Sequence, residues 1–203
     1  MGSPLLLRKY GPVTTDPFGK GSSSVSGRQY TRPVANLWLD QHAGSQQGLV
    51  DVASYISGYV DGEGCFTVSI APRPTLSVGW EVRPSLSVSQ NADRSEVLLL
   101  IRRYFDCGTI RPDRSDRTLK WEVRRLPFLL DQIIPHFRMY PMLSAKQRDF
   151  ESFAAVCELM ARGDHRMIGG FREVVGLITG MNPSGRRGYP VATILQALDE
   201  MKA

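Results

Sequence analysis

The stretch I56-S-G-Y-V-D-G-E-G-C-F-T-V-S-I70 decides how the chain is read. It begins as an apolar helix and ends as an alternating strand. Two carboxylates, Asp61 and Glu63, sit at the joint among Gly58, Gly62 and Gly64. Gly58 and Gly62 are four apart, so they share one helix face and let another backbone come close. Gly64 suits the left-handed residue that closes a helix. Glu63 then hangs from the helix C-terminus, where free carbonyls and the negative dipole end favour a cation. Carboxylate and carbonyl oxygens are what Mg²⁺ uses, with substrate phosphates completing its shell. An acidic turn is the other reading of "DGEG". An EF-hand is excluded, because Phe66 and Pro72 occupy its glycine and closing-glutamate positions.

Outward from this joint the elements follow in order. "LVDVASYISGYVDG" is a helix stopped by Gly62 and Gly64. "CFTVSIAPR" and "GWEVRPSLSVSQ" alternate as two half-buried strands, with Trp80, Val82, Leu86 and Val88 opposite Glu81, Arg83, Ser85, Ser87 and Ser89. "DRSEVLLLIRRYF" is a helix with an Asp93/Glu96 capping box. "GTIRPDR" and "RTLKWEVRR" form a second strand pair joined by a polar turn. In "LPFLLDQIIPHF" Pro127 is tolerated in the first helical turn and Pro135 ends the helix. Ser144 and Gln147 form another capping box before "AKQRDFESFAAVCELMARG", and further helices are expected near 167–179 and 190–201. The order αββαββα predicts an α+β fold, an antiparallel sheet with helices on one face plus C-terminal helices.

Residues 1–47 differ from the rest. "GKGSSSVSGRQYTRP" has neither helical nor strand period and reads as a flexible or partly ordered extension, with "VANLWLDQ" a short docked piece. Residues 48–203 are read as one domain. "MGSPLLLRKYGPV" lacks the apolar region and cleavage site of a secretory signal, and no apolar run approaches the ~20 residues of a bilayer span. The chain is therefore read as a soluble intracellular protein with no membrane partner. Cys65, Cys107 and Cys157 lack metal-ligand spacing and are expected to be buried reduced thiols. Net charge is +5, of which residues 48–203 carry only +2. Arginines 102, 103, 111, 114, 117, 124 and 125 crowd one region, either an ordinary solvated face or a phosphate-facing one.

Residues 56–64 resemble the nine-residue signature of the LAGLIDADG homing endonucleases. Gly58, Asp61 and Gly64 match letter for letter; Ile56, Tyr59 and Val60 keep apolar character, Ser57 and Gly62 small size, and Glu63 the acid. The element order and the tail "NPSGRRGYP" before a last helix extend the likeness over about residues 48–203, nearest to single-motif, intron-encoded members. The resemblance implies that Gly58 and Gly62 pack against a second signature helix, that Asp61 steadies the helix end, and that Glu63, with the Gly62 carbonyl, holds Mg²⁺ at the scissile phosphate. With one signature, the chain would pair as a homodimer. The sheet would form a saddle on the major groove of double-stranded DNA. Strand parity then places Thr67, Ser69, Arg73, Glu81, Arg83, Ser85, Ser87, Arg111, Lys120 and Glu122 facing the groove. Gln90 would order active-site water, Lys146 would stabilise charge at the phosphate, and Arg186 and Arg187 would touch phosphates outside the centre.

The activity implied is a site-specific, metal-dependent double-strand break that promotes mobility of a host intron. The alternatives are an RNA maturase acting on its own intron RNA and a non-cleaving DNA-binding regulator on the same fold. The predominance of arginine over lysine points to a GC-rich genome, favouring bacterial cytoplasm over an organelle.

Overall fold

A computed structural model of the protein describes residues 51–113, 117–182 and 188–201. The extension assigned to residues 1–47 lies outside them, as do the centre of the second hairpin turn and both Arg186 and Arg187.

Helix α1 (Val52–Glu63) starts at Asp51, whose carboxylate accepts the Ala53 amide. It buries Ala53, Ile56, Ser57 and Val60, the i, i+3, i+4, i+7 stripe of an amphipathic helix. Strands β1 (Gly64–Pro72) and β2 (Trp80–Asn91) follow, then helix α2 (Glu96–Phe105), and strands β3 (Thr109–Pro112) and β4 (Thr118–Val123). All pairings are antiparallel, in the order β1-β2-β4-β3. Pro84 falls in β2 where β4 has not yet begun to pair, so its missing N–H costs no ladder bond on that side.

Alternation sorts the sheet as expected. Phe66, Ile70, Trp80, Val82, Leu86, Val88, Trp121 and Val123 are buried under the helices. Phe66 anchors this side, its ring 5.2–5.4 Å from those of Phe137, Phe150 and Phe153. Gly108, at φ 81°, must lack a side chain: a Cβ there would lie 2.5 Å from Trp121 Nε1. That indole N–H donates to the Cys107 carbonyl at 3.0 Å. Helices α5 (Lys146–Arg162), α6 (Ile168–Thr179) and α7 (Val191–Glu200) complete the described fold, the last two where the sequence placed them.

Several local expectations are corrected. Pro135 does not end its helix. The segment runs through α3 (Leu126–Phe128), a π-helical turn (Leu129–Ile133) and α4 (Ile134–Met139). The wider turn ahead of Pro135 makes room for a residue with no N–H to give, and the chain continues. The Asp93/Glu96 box is not formed: Ala92–Arg94 is a 3₁₀ turn, and Ser95 precedes α2 without a side-chain cap. Gly64 is not left-handed. It is extended, at φ −81° and ψ 158°, and glycine is needed for space instead, since a Cβ would lie 2.5 Å from Val60 Cγ1 and 2.7 Å from its carbonyl oxygen. Cys107 and Cys157 are buried, with burial pushing the thiols up to about 11 and about 12, but Cys65 is exposed because it shares strand parity with Thr67.

His136 is buried in α4 with both ring nitrogens engaged. Ser57 Oγ donates to the Tyr140 carbonyl (2.7 Å), so it accepts from His136 Nε2 (3.2 Å), and Nδ1 pairs with the Tyr104 hydroxyl (3.1 Å). Burial pushes the imidazole down to about 4, only partly countered by Asp51. The unfolded chain takes up this proton near pH 6.5, the folded chain only near 4, so stability is complete above pH 6.5 and falls as pH drops through the window. The loss across it should reach about 3 kcal/mol. Urea denaturation at steps from pH 7 to 4 checks this, with His136→Gln expected to flatten the slope.

Candidate active centre and nucleic-acid interface

The joint between α1 and β1 is held by a reciprocal pair of contacts with α5. Asp61 Oδ2 accepts the amides of Leu143 (3.1 Å) and Ser144 (3.0 Å), and Oδ1 accepts the Ser144 hydroxyl. Burial pushes the Asp61 carboxyl up, but the Ser144 hydroxyl, the two amides and the Lys146 charge outweigh it and hold the group below its ordinary range. In the other direction Lys146 Nζ donates to the carbonyls of Val60 (3.0 Å), Gly62 (3.3 Å) and Gly64 (2.5 Å). An acid from the end of α1 thus fixes the turn leading into α5, and a cation from α5 caps the end of α1, matching its dipole.

The Ser144/Gln147 box is altered by this arrangement. Ser144 Oγ accepts the Lys146 amide at 3.1 Å, but Gln147 reaches the Met142 amide (3.1 Å), because the Ser144 amide is given to Asp61. The cation drawn to the free carbonyls of α1 is, within this chain, the Lys146 ammonium.

Glu63 ends α1, exposed, with no hydrogen bond or ion pair among the described residues. No group of three or more His, Cys, Asp or Glu side chains able to hold a metal occurs among the described residues. The donors fit a hard cation only where phosphates complete the shell: Glu63 supplies one carboxylate, and the Gly62 carbonyl keeps a second lone pair beside Lys146. The α1 face carrying Gly58 and Gly62 is bare, with no atom within 4 Å of a built Cβ at either position, and Tyr55 flanks it, exposed.

Gln90 stands apart from Asp61 and Lys146. The parity that puts Ser87 and Ser89 on the polar face puts Gln90 on the other. There its Nε2 donates to the Tyr59 hydroxyl, and its Oε1 accepts the Asn91 amide at 2.7 Å.

The polar face of the sheet gathers the remaining candidates. Thr67 lies opposite Ser85, Ser69 opposite Arg83, Ser87 opposite Glu122 and Arg111 opposite Lys120. Arg73, just past β1, reaches Glu81 at 2.7 Å, which also holds Arg83. Glu122 holds Arg111 (3.3 Å) and Arg124 (3.0 Å), and Lys120 pairs with Asp113 at 3.0 Å. Arg83 first, then Arg73, keeps the Glu81 carboxyl below its usual range. Sequence reading missed Asn182, whose side-chain amide donates to the Phe66 carbonyl of the edge strand β1 (2.7 Å) and whose backbone N–H donates to Asp149 Oδ1 (3.2 Å). Its φ of 45°, tolerated by Asn, was foreshadowed only by its place in the "NPSG" tail. Arg186 and Arg187 lie outside the described residues.

The LAGLIDADG endonuclease family profile matches residues 56–157, half of the chain. The chain belongs to the LAGLIDADG endonuclease family. It is 30% identical over 142 residues to a probable intron-encoded endonuclease of Neurospora crassa, covering 68% of this chain and 31% of that protein. It is 31% identical over 115 residues to the homing endonuclease I-ApeII of Aeropyrum pernix, covering 56% and 67% of the two chains. The solved structure of the archaeal intron-encoded homing endonuclease I-Vdi141I, complexed with DNA, superposes with a TM-score of 0.68 at 25% identity, over 74% of this chain and 96% of that one. The chain spans about a third of the length of its Neurospora relative. No helix among the described residues is long and apolar enough to cross a membrane.

Gly64→Ala tests the joint. The added methyl has no room against Val60, and the substitution should cost about 1–3 kcal/mol by overpacking, read as a lower urea midpoint with an unchanged slope.

Proposed function

We propose that this protein is a homing endonuclease that makes a metal-dependent double-strand break at a long, defined site in duplex DNA. Residues 48–203 serve as its endonuclease domain, with residues 1–47 an appended extension. The reading is carried by Glu63. It is an exposed carboxylate without a partner among the described residues, at a helix end where the other charged groups, Asp61 and Lys146, are each held by hydrogen bonds.

Mg²⁺ bound at Glu63 would neutralise charge developing on the scissile phosphate and stabilise the leaving oxygen. The protein's own residues prepare the place. Asp61 fixes the start of α5, and so the root of Lys146. Lys146 keeps a positive charge beside the Gly62 carbonyl, where the phosphate would approach. Gln90, hydrogen-bonded to Tyr59 one turn before Glu63, would help order the attacking water, as the resemblance implies. The polar sheet face supplies groove contacts, with Thr67, Ser69, Ser85 and Ser87 between the charged groups, and Arg186 and Arg187 add phosphate contacts.

A second copy docks through Gly58 and Gly62, bringing a second Glu63 to the two-fold axis so that both strands are cut. Gly58→Ala and Gly62→Ala fill space that is empty in one chain. Each should raise helix stability of the isolated subunit by about 0.5–1 kcal/mol yet weaken self-association. Sedimentation at graded concentrations separates the two effects; association unchanged by both alanines would place the dimer contact elsewhere.

For the reaction itself, a plasmid carrying the target should be linearised by the wild-type protein with Mg²⁺. Glu63→Gln should bind the same DNA in a gel-shift assay and leave it uncut. Cleavage that survives this substitution would remove Glu63 from the centre.

A further inference from the structure

The charged residues of the polar face are not scattered. Beside the Lys120–Asp113 pair, they form two units of the same construction. In each, a glutamate holds the arginine two residues later in the chain and a second arginine on or beside a neighbouring strand: Glu81 with Arg83 and Arg73, and Glu122 with Arg124 and Arg111. In both the acid is the more covered partner. Side-chain exposure is 23% for Glu81 and 11% for Glu122, against 47–67% for the four arginines. The carboxylates make a floor, and the guanidinium heads stand above it.

This arrangement has a chemical use. A free arginine side chain carries about 2 kcal/mol of rotamer entropy that must be lost on binding. A carboxylate beneath it removes much of that freedom in advance. Arg83 gives Nε and Nη2 to Glu81, at 3.0 and 2.5 Å, which leaves its Nη1–Nη2 end directed away from the acid. That end is a two-pronged donor of the kind that guanine O6 and N7 accept together in the major groove. The acid also penalises misplacement, because a sheet carrying unscreened arginines would grip any phosphate.

We infer that the Glu81 and Glu122 units are the sheet's two sequence-selective readers, each holding paired arginines for guanine in a G·C pair. Their spacing follows from the register. Glu122 lies opposite Ser87, six positions along β2 from Glu81. Six strand residues span about 20 Å, which matches roughly six base-pair steps of the duplex. In each half-site, two G·C-selective positions about six base pairs apart are expected, the Glu122 position nearer the centre because Ser87 pairs with Cys65 beside the α1–β1 joint.

The inference rests on the DNA-reading function proposed above, and the experiment distinguishes the two. A randomised duplex library is selected for binding by the full chain in 0.15 M salt, then by Glu81→Gln, Glu122→Gln and Arg83→Lys. The wild type should enrich G·C at both positions. Glu81→Gln should reduce the outer preference by about fivefold or more and leave the inner one, Glu122→Gln should do the reverse, and binding to unrelated DNA should hold or strengthen as a negative charge is lost. Arg83→Lys keeps the charge without the fork and should flatten the same outer position as Glu81→Gln. Wild-type preferences that survive both glutamine substitutions, or that collapse at both positions from either one, overturn the assignment of readers while leaving DNA recognition standing. A wild-type chain that enriches no sequence overturns DNA recognition and the readers together.

Discussion

The exchange of contacts between α1 and α5 is the constraint on which the site depends. A helix C-terminus exposes carbonyls and a helix N-terminus exposes amides, and both must be satisfied. Here Lys146 meets the carbonyls of Val60, Gly62 and Gly64 where α1 ends, and Asp61 fixes the turn that leads into α5 through the amides of Leu143 and Ser144. The contacts are charge-assisted, and displacing either helix would break both sets at once. Because α1 runs directly into β1, the same lock sets where the polar sheet face begins relative to Glu63.

Much of the architecture was written locally. Alternation in residues 64–72 and 80–91 separated a core face from a polar one, and the register agrees residue by residue. The amphipathic stripe of α1 was equally plain, and so was the acid-and-glycine joint. What stayed hidden is long-range. Ser144 reads as an ordinary cap, and nothing near it announces that its amide belongs to a carboxylate 83 positions earlier. Gln90 is similar: its strand parity was legible, but not that its side chain would meet the Tyr59 hydroxyl of α1, 31 positions earlier. Pro135 obeyed its missing donor without ending a helix, because a π turn absorbed the defect.

Gly64 illustrates why residue type and cause must be kept separate. Glycine at a helix end is usually explained by a left-handed backbone, and here the backbone is one any residue adopts. The requirement comes from the Val60 side chain and carbonyl crowding the Cα, a fact of packing between helix end and strand start. The same residue type at 58 and 62 faces empty space within the chain. One signature therefore carries glycines of two kinds, one internal and obligatory, the others facing outward.

The outer edge of β1 has a consequence for behaviour at high concentration. An edge strand offers rows of unused amides and carbonyls that invite a strand of a neighbouring molecule. Along β1, Asn182 already occupies the Phe66 carbonyl and brings the end of α6 alongside. That side-chain amide takes one acceptor away from the β1 edge, so a strand arriving from a neighbouring molecule would meet an interrupted ladder there.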